Sequence, residues 1–408
     1  MKVINVIGLG YIGLPTSLMF ATHGYRVRGV DINEKLVELL KSGGATFEEK
    51  GLLDLYKKAL TKKISFATEI QSGDTYIIAV PTPYDEESKK IDTKYIKAAV
   101  ESVLKVCQNN TFLIIESTIS PGTIDKHIRP LVSEYEKKRK IRIHISHCPE
   151  RIIPGNMVYE LVHNSRTIGV DRIEVGEEIK ILYKSFCQAE MVITSIKVAE
   201  ITKVVENTFR DVNIAFANEL AQIAHSAEID VYEIIKIANM HPRVKILQPG
   251  PGVGGHCLPV DPWFLVGDFP NQTPLIKQAR LVNDSMPSYV IERVTEIAFK
   301  FDIPFSRIGL YGISYKENVD DYRQSPTLQI LNLKNNSFAR DVKVFDPFIQ
   351  KNLFQNQYFD FQNFLDDIDI IVVMQAHNHL LENQDSLKEK IIFDTKATLI
   401  KSENIYHF

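Results

Sequence analysis

The chain opens with "KVINVIGLGYIGLPTSLMFATHGYRVRGVDIN", in which Val3 to Ile7 form an unbroken run of buried-type residues. A continuous apolar run, unlike an alternating one, predicts a strand covered on both faces. A glycine turn follows it, then an apolar helical stretch, then a second run from Arg26 to Val30 that ends at Asp31. Two further runs, 75–80 ("TYIIAV") and 111–118 ("TFLIIEST"), each end in small or polar residues. Strands alternating with helices predict a parallel sheet. From Glu177 to His241 there is neither glycine nor proline. Within that stretch, residues 199–229 carry an apolar stripe at helical spacing: Ile201, Val204, Val205, Phe209, Val212, Phe216, Leu220 and Ile223. Such a helix runs roughly 45 Å, enough to join two domains and to bury one face against a partner chain. After another helix at about 274–300, the strand pattern restarts at 307–316, 342–347, 368–374 and 390–395, with "SPTLQILNLK" helical between the first two. The expected class is α/β, with two doubly wound parallel-sheet domains joined by a long central helix.

Composition narrows the function. The 408 residues are 44% hydrophobic and 24% charged, which is ordinary for a globular protein. A net charge of −3 argues against bulk nucleic-acid binding and leaves room for a local phosphate pocket. Lysine-rich pieces such as "YKKALTKK" and "EKKRK" read as solvated helix faces. Cys107, Cys148, Cys187 and Cys257 are too scattered for a disulfide framework, which predicts a reducing, cytoplasmic setting. The opening apolar run is short and broken by glycines, unlike a signal peptide. No uncharged apolar run reaches the ~18 residues of a membrane span.

The first turn carries the first chemistry. Gly8, Gly10 and Gly13 have the G-x-G-x-x-G spacing. The first glycine permits the tight turn, the second lets a pyrophosphate approach the backbone, and the third lets the helix pack closely on the strand. Tyr11 and Ile12 complete the turn, and the helix N-terminus offers N–H groups to the anion. The spacing alone is a weak signal, but here the strand, the helix, the second strand and the acid are all in place. Asp31 sits where an acid accepts hydrogen bonds from the ribose of NAD and repels the extra phosphate of NADP. Ligands of such sheets lie beyond the carboxyl ends of the strands. Val80, Pro81 and Thr82 in "VPTP", and Ser117 and Thr118 in "ESTISPGT", are therefore expected beside the nicotinamide. The domain is expected to be a Rossmann fold that binds NAD.

Other candidates are less specific. Lys203 and Asn207, four apart on one helix face, are either a surface pair or two donors for a developing oxyanion. The first turn of the third domain has only Gly309 and Gly312, so no second NAD is expected there. Lys316 and Arg323 bracket the acidic run "ENVDD" and read either as nucleotide-diphosphate ligands or as a salt-bridged loop. The stretch "GVGGHCLPVDP", residues 252–262, admits three readings: a tight turn with an incidental cysteine, half of a metal site, or a nucleophile. His144, His147, Cys148, His256 and Cys257 form no C-x2-4-C pair, so no metal is expected. For a nucleophile, the glycines at 252, 254 and 255 would clear space for a large substrate, and Pro259 and Pro262 would stiffen the loop. Asp261 stands near as a base or its orienter. A thiol beside a dinucleotide has a motivated use: it adds to an aldehyde, and the adduct gives up a hydride to become a thioester. A buried structural cysteine remains the alternative.

Taken together, "GLGYIGLP", "VPTP", "EST…PGT", "CPERIIPG", "AEITKVVENTFRDVNIAFANEL", "HPRVKILQPGPGVGGHCLPVDP" and "VDDYRQSP" resemble the UDP-glucose/GDP-mannose dehydrogenase family, in order and over nearly the whole chain. Within it the chain looks most like the bacterial branch acting on UDP-N-acetyl-D-mannosamine. The resemblance implies an NAD-binding Rossmann domain at 1–196, a central helical linker and dimerisation domain at 197–300, and a Rossmann-like UDP-sugar domain at 301–408. It implies a four-electron oxidation of the sugar C6 hydroxyl to a carboxylate with reduction of two NAD, feeding capsule or envelope polysaccharide. Cys257 would form the thiohemiacetal and thioester. Lys203 and Asn207 would stabilise oxyanions. Asp261 would assist, with Thr118, in deprotonating through water. Glu150 in "CPER" would activate water against the thioester. Arg243 would reach the substrate of the neighbouring subunit in a homodimer or larger homo-oligomer. Arg151, Arg210, Gly254, Lys316 and Arg323 would complete the substrate site.

Two departures matter. Pro154 stands where the UDP-glucose branch has a second glutamate. Pro259 stands where the mannosamine branch is expected to have alanine, as in dehydrogenases of UDP-N-acetylglucosamine. The rival classes are a two-electron hydroxyacid dehydrogenase and an NAD-binding regulatory subunit. The first needs neither thiol nor third domain. The second would have lost some of Glu150, Lys203, Asn207, Cys257 and Asp261.

Overall fold

A computed structural model describes residues 3–44, 47, 49–153, 155–255, 257–333 and 336–408. Pro154 and His256, both singled out above, lie outside the described residues. The chain forms two compact units, Met1–Glu206 with Gly267–Phe269, and Asn207–Val266 with Pro270–Phe408.

The first unit is built on β1 (Val3–Ile7), β2 (Arg26–Val30), β3 (Ile64–Ala67), β4 (Thr75–Ile78), β5 (Thr111–Ile115), β6 (Ile143–His147), β7 (Arg166–Val170) and β8 (Met191–Thr194). The sheet order is β3-β2-β1-β4-β5-β6-β7-β8. The first six strands are parallel and reverse their order of addition between β1 and β4, the doubly wound arrangement. β4 is buried along its length and β1 nearly so, as their unbroken apolar runs require. β4 and β5 end at Ile78 and Ile115, short of the predicted 80 and 118, so the small and polar residues beyond them are free to form loops.

One junction departs from the parallel expectation. β7 runs antiparallel to β6 and parallel to β8. A parallel connection must cross back to the amino edge of the sheet, whereas this one turns at the carboxyl edge. Residues 148–165, with the helix Met157–His163, therefore stay at the ligand edge, and so does the first residue of β7, Arg166.

The stretch free of glycine and proline is also not one element. β8 interrupts it, and the long helix spans Ile196–Ser226. It stops short of the predicted 229 because Glu228 is left-handed (φ 56°) and Asp230 caps the next helix, accepting from the N–H groups of Tyr232 and Glu233. The predicted stripe divides. Val204 is buried, and Leu220 packs against the core with Ala217, Ala221 and Ala224, while Ile201, Val205, Phe209, Phe216 and Ile223 are exposed.

The second unit carries β9 (Ile308–Tyr311), β10 (Lys343–Phe345), β11 (Gln357–Tyr358), β12 (Ile370–Val373), β13 (Ile391–Asp394) and β14 (Ile405–Tyr406), all parallel, in the order β11-β10-β9-β12-β13-β14. The helix Pro274–Lys300 covers it, with Met286, Val290, Val294 and Ile297 in the same core as Ile308, Leu310, Ile370 and Val372. This order repeats that of the first six strands of the other unit. The turns repeat as well. Gly8 and Gly312 both have positive φ, 91° and 100°, and both donate N–H to the last residue of the neighbouring strand, Val30 or Phe345. An acid follows that strand in each case, Asp31 or Asp346.

Candidate active site

In the first unit the glycine turn leaves one face open. A Cβ on Gly8 would come within 2.6 Å of the Ala79 carbonyl oxygen, and one on Gly13 within 1.8 Å of the Gly8 carbonyl oxygen. Both glycines are required by the protein's own packing. Gly10 is different: a Cβ there would meet nothing within 4 Å. Its bareness serves something outside the protein, which fits the close approach of a pyrophosphate. The helix Gly13–Thr22 begins at this point, with no side chain capping it at Ile12. Tyr11 stacks on Phe47 at 4.3 Å. Asp31 accepts the Leu9 N–H at 2.8 Å and the Asn33 N–H at 2.9 Å, which binds the acid to the turn. These residues fit a dinucleotide.

The loops after β4 and β5 are tied to one another. The Ser117 hydroxyl donates to the Val80 carbonyl (2.7 Å) and the Thr82 hydroxyl to the Thr118 carbonyl (2.6 Å), with Pro81 exposed between them. The long helix grips the same region. Glu200 is fully buried and accepts the N–H groups of Gly122 (2.6 Å) and Ile124 (2.9 Å). Lys203, one turn on, is also buried.

Beside these loops lies a buried charged group of which the motifs announced only Glu150 and Arg151. Glu150 and Arg166 are buried and ion-paired, and the Arg151 N–H donates to the other Glu150 oxygen at 2.7 Å. Arg166 also lies 3.7 Å from Glu116, whose carboxyl accepts from Tyr183 (2.6 Å) and Thr16 (3.4 Å). Burial pushes Glu116 up to about 7, against the pull of Arg166. The Arg151 guanidinium is held by Glu206 (2.7 Å), Ser165 and Thr167.

The second unit holds the thiol. Cys257 is exposed, whereas Cys107, Cys148 and Cys187 are buried. The Cys257 carbonyl accepts the N–H groups of Val260 (3.0 Å) and Asp261 (2.8 Å), which starts the helix Asp261–Asp268. Asp261 is buried, and Asn207 donates to it at 2.6 Å. The glycines before Cys257 do not clear space as expected. A Cβ on Gly252 would meet the rings of Pro287 and Pro326. One on Gly254 would meet Tyr315, Gln324 and Ser325, and one on Gly255 the Tyr315 ring. They allow the loop to pack flat on the protein, with the Gly255 N–H donating to the Arg323 carbonyl at 3.1 Å.

The turn after β9 answers why only one unit has the dinucleotide signature. Asp346 is fully enclosed and accepts N–H groups from Ile313 (2.6 Å), Ser314 (2.9 Å) and Phe348 (2.8 Å), with His377 beside it. Burial raises its carboxyl, but these partners hold it below the usual range. Asp346 is thus closed off from a ribose, whereas Asp31 is partly exposed. The loop 313–325 that follows carries Lys316, partly buried, and Arg323, whose guanidinium forks onto the buried Asp321. Arg210 and Arg243 are exposed. Among the described residues no group of three or more His, Cys, Asp or Glu side chains is placed to hold a metal ion, and no helix is long and apolar enough to cross a membrane.

Glu116, Arg166 and Glu200 escaped the sequence reading: Glu116 is a lone charge at the end of an apolar strand, while Arg166 and Glu200 lie among polar residues and look like surface charges. The one available signal was that a charge amid buried residues needs a partner.

Residues 1–187 match the NAD binding domain of the UDP-glucose/GDP-mannose dehydrogenase family, 197–285 its central domain and 309–401 its UDP binding domain. The chain is 42% identical over 410 residues to the UDP-N-acetyl-D-mannosamine dehydrogenase of Methanococcus maripaludis, covering 98% of this chain and 93% of the relative. It is 38% identical to the NDP-N-acetyl-D-galactosaminuronic acid dehydrogenase of Ralstonia nicotianae, covering 97% and 96%. Its fold is similar to that of the UDP-N-acetyl-mannosamine dehydrogenase from Staphylococcus aureus, with a TM-score of 0.88 and 38% identity over 100% of this chain and 98% of that one.

Proposed function

The chain belongs to the UDP-glucose/GDP-mannose dehydrogenase family and is an NAD-dependent UDP-sugar dehydrogenase; on that premise we propose that it oxidises C6 of UDP-N-acetyl-D-mannosamine to the uronic acid. The reaction consumes one alcohol, two NAD and one water, and yields one carboxylate, two NADH and three protons. Bound NAD accepts a hydride in each oxidation. The chain's own residues do the rest. Asp261, with Thr118, takes the C6 hydroxyl proton through water. The Cys257 thiolate adds to the aldehyde carbon, and Lys203 and Asn207 donate to the oxygen that becomes negative. Loss of a second hydride from this thiohemiacetal leaves a thioester. Glu150 takes a proton from water as it attacks the thioester, and the Cys257 thiolate departs.

The observation that carries this reading is the contrast among the thiols. Cys257 alone of the four is exposed, and it starts a helix whose first residue, Asp261, is bonded to Asn207. The cofactor would be held by Gly8, Gly10, Tyr11, Ile12, Gly13 and Asp31, with residues 80–82 and 117–118. The sugar nucleotide would be held by Arg210, Gly254, Lys316 and Arg323, by Arg151 fixed through Glu206, and by Arg243 from a second copy. The proposed division is 1–196 for NAD, 197–300 for linkage and dimerisation, and 301–408 for the UDP-sugar; the spans of the three family models support it. The product would serve an acidic capsule or envelope polysaccharide assembled from the cytoplasm.

The test is to count NADH formed per sugar nucleotide with UDP-N-acetyl-D-mannosamine, UDP-N-acetylglucosamine and UDP-glucose. Two NADH per sugar and the highest kcat/KM for the mannosamine are expected. A single NADH per sugar would refute the four-electron reaction, and a higher kcat/KM for UDP-glucose would refute the substrate.

A further inference from the structure

The reversal at β7 brings three charges together in the first unit. Glu116 follows β5, Glu150 lies in the loop after β6, and Arg166 opens β7 at the same edge of the sheet. Had β7 run parallel to β6, its first residue would lie at the opposite edge. All three side chains are nearly inaccessible, at 0% for Glu116 and 3% each for Glu150 and Arg166. One cation therefore serves two carboxyls.

The guanidinium is flanked by two rings. It lies over the Tyr183 ring at 4.5 Å and the Phe186 ring at 5.6 Å. One of its nitrogens donates to Glu150 Oε2, and the other lies 3.7 Å from Glu116 Oε1, at ion-pair rather than hydrogen-bond range. The remaining ionisable groups facing the trio are Tyr183, Cys148 and Cys187. Burial raises Tyr183 well above its usual range and pushes Cys148 up to about 12. Tyr183 and Cys148 are therefore neutral near pH 7.

A buried ion is costly unless it is paired, and one guanidinium cannot neutralise two carboxylates. Glu150 has the closer contact and the Arg151 N–H besides. Glu116 has the looser one and two hydroxyl donors. The two carboxyls compete for one cation.

We infer that Arg166 is a positioning residue for the reaction: it holds the Glu150 carboxyl aimed, and Glu116 draws on the same guanidinium. This rests on the reading of Glu150 as the base that activates water. Its consequence is a pair of opposite effects. Removing the cation leaves the Glu150 carboxyl unheld, and removing the competing carboxyl leaves the guanidinium to Glu150 alone.

The experiment follows decay of the covalent thioester on Cys257, by quenched reaction and mass spectrometry, so that earlier steps do not enter. Arg166→Met should slow the decay about 100-fold, as misplacement of a reacting group does. Arg166→Lys should recover part of the rate, because the charge remains while the fork is lost. Glu116→Gln should leave the decay at least as fast as in the wild type, because the guanidinium is then held by Glu150 alone. NAD binding and melting temperature report whether each variant folds. If Arg166→Met fails to fold, the lysine and glutamine variants carry the same comparison. Wild-type decay in Arg166→Met, or decay slowed as much in Glu116→Gln as in Arg166→Met, overturns the inference. Glu150→Gln separates the two ideas. If that variant hydrolyses the thioester at the wild-type rate, the base assignment itself is wrong. If it is slow while Arg166→Met decays at the wild-type rate, only the role of Arg166 falls.

Discussion

A thiol acts as a nucleophile when it is accessible and partly ionised, and burial in apolar surroundings removes both conditions. Cys107 and Cys148 are buried and their thiols are pushed up, Cys148 to about 12, so they stay protonated and inert. Cys148 sits two residues before Glu150 in "CPER", close in sequence to the chemistry, yet it packs in the core with Leu161 and Ile168. His147 is in the same position: burial pushes it down to about 4, so it is neutral at pH 7. Cys257 is the thiol that a substrate can meet. Cys257→Ala should give at most about one NADH per sugar and almost no uronic acid, because the second hydride needs an adduct that can expel it. The turnover should fall by several orders of magnitude, as for other essential nucleophiles. NAD affinity, measured by titration, should be unchanged, since the turn at Gly8 to Gly13 is untouched. Glu150→Gln should instead accumulate the thioester as a mass adduct. Two NADH per sugar from Cys257→Ala would leave "GVGGHCLPVDP" a structural loop.

At the scale of elements, the loop before Cys257 is held by contact rather than by stiffness alone. Gly255 has φ 94°, and a Cβ there would lie 2.9 Å from the Tyr315 ring. Gly255→Ala therefore meets both a left-handed backbone and an occupied volume. It should cost roughly 1–3 kcal/mol of stability and displace the thiol, lowering kcat more than it weakens NAD. Gly10→Ala is the contrast, because open space lies above it: the melting temperature should hold while NAD binding weakens. Equal loss of stability in the two variants would contradict this division. The two glycine clusters look alike in sequence, but Gly10 faces open space while Gly252, Gly254 and Gly255 face the protein. The period of burial was legible: β1, β2 and the helix Pro274–Lys300 match the predicted spans, because apolar runs and glycine turns are local signals. What a glycine faces is not local, since Tyr315 is far along the chain from Gly255. The direction of β7 was hidden for a related reason. A connection that turns at one edge and one that crosses to the other can have similar composition, and the choice is made by packing against β6. Arg166 was invisible for as long as that direction was unknown.

At the scale of the whole molecule, the long helix carries large apolar side chains on its exposed side. Its inward positions are small, with Ala217, Ala221 and Ala224 fully buried, while Phe209 is 69% exposed, Phe216 53% and Ile223 54%. Small residues inside let the helix lie close to its own core. Large ones outside, at Ile201, Val205, Phe209, Phe216 and Ile223, form a stripe with helical spacing along its length. Scattered exposed leucines need no explanation, but a contiguous stripe of this size marks an interaction surface. A second copy is the proposed occupant: two such helices, crossing with their stripes together, bury the same residues twice under one two-fold axis. Burying a large apolar side chain yields roughly 1.5–3 kcal/mol, so a pair of phenylalanines per copy is enough to decide assembly. The double variant Phe209→Glu, Phe216→Glu places charges in that stripe without touching a core, so each copy should fold as before. Light scattering at micromolar concentration should give at least a dimer for the wild type and a monomer for the variant. If Arg243 of one copy serves the substrate of the other, the monomer should also lose sugar-nucleotide affinity while still binding NAD through the Gly8 turn, so that KM for the sugar nucleotide rises and the affinity for NAD does not. A wild-type chain that is monomeric and fully active would refute both the interface and the shared site, and a monomeric variant with unchanged KM would refute the shared site alone.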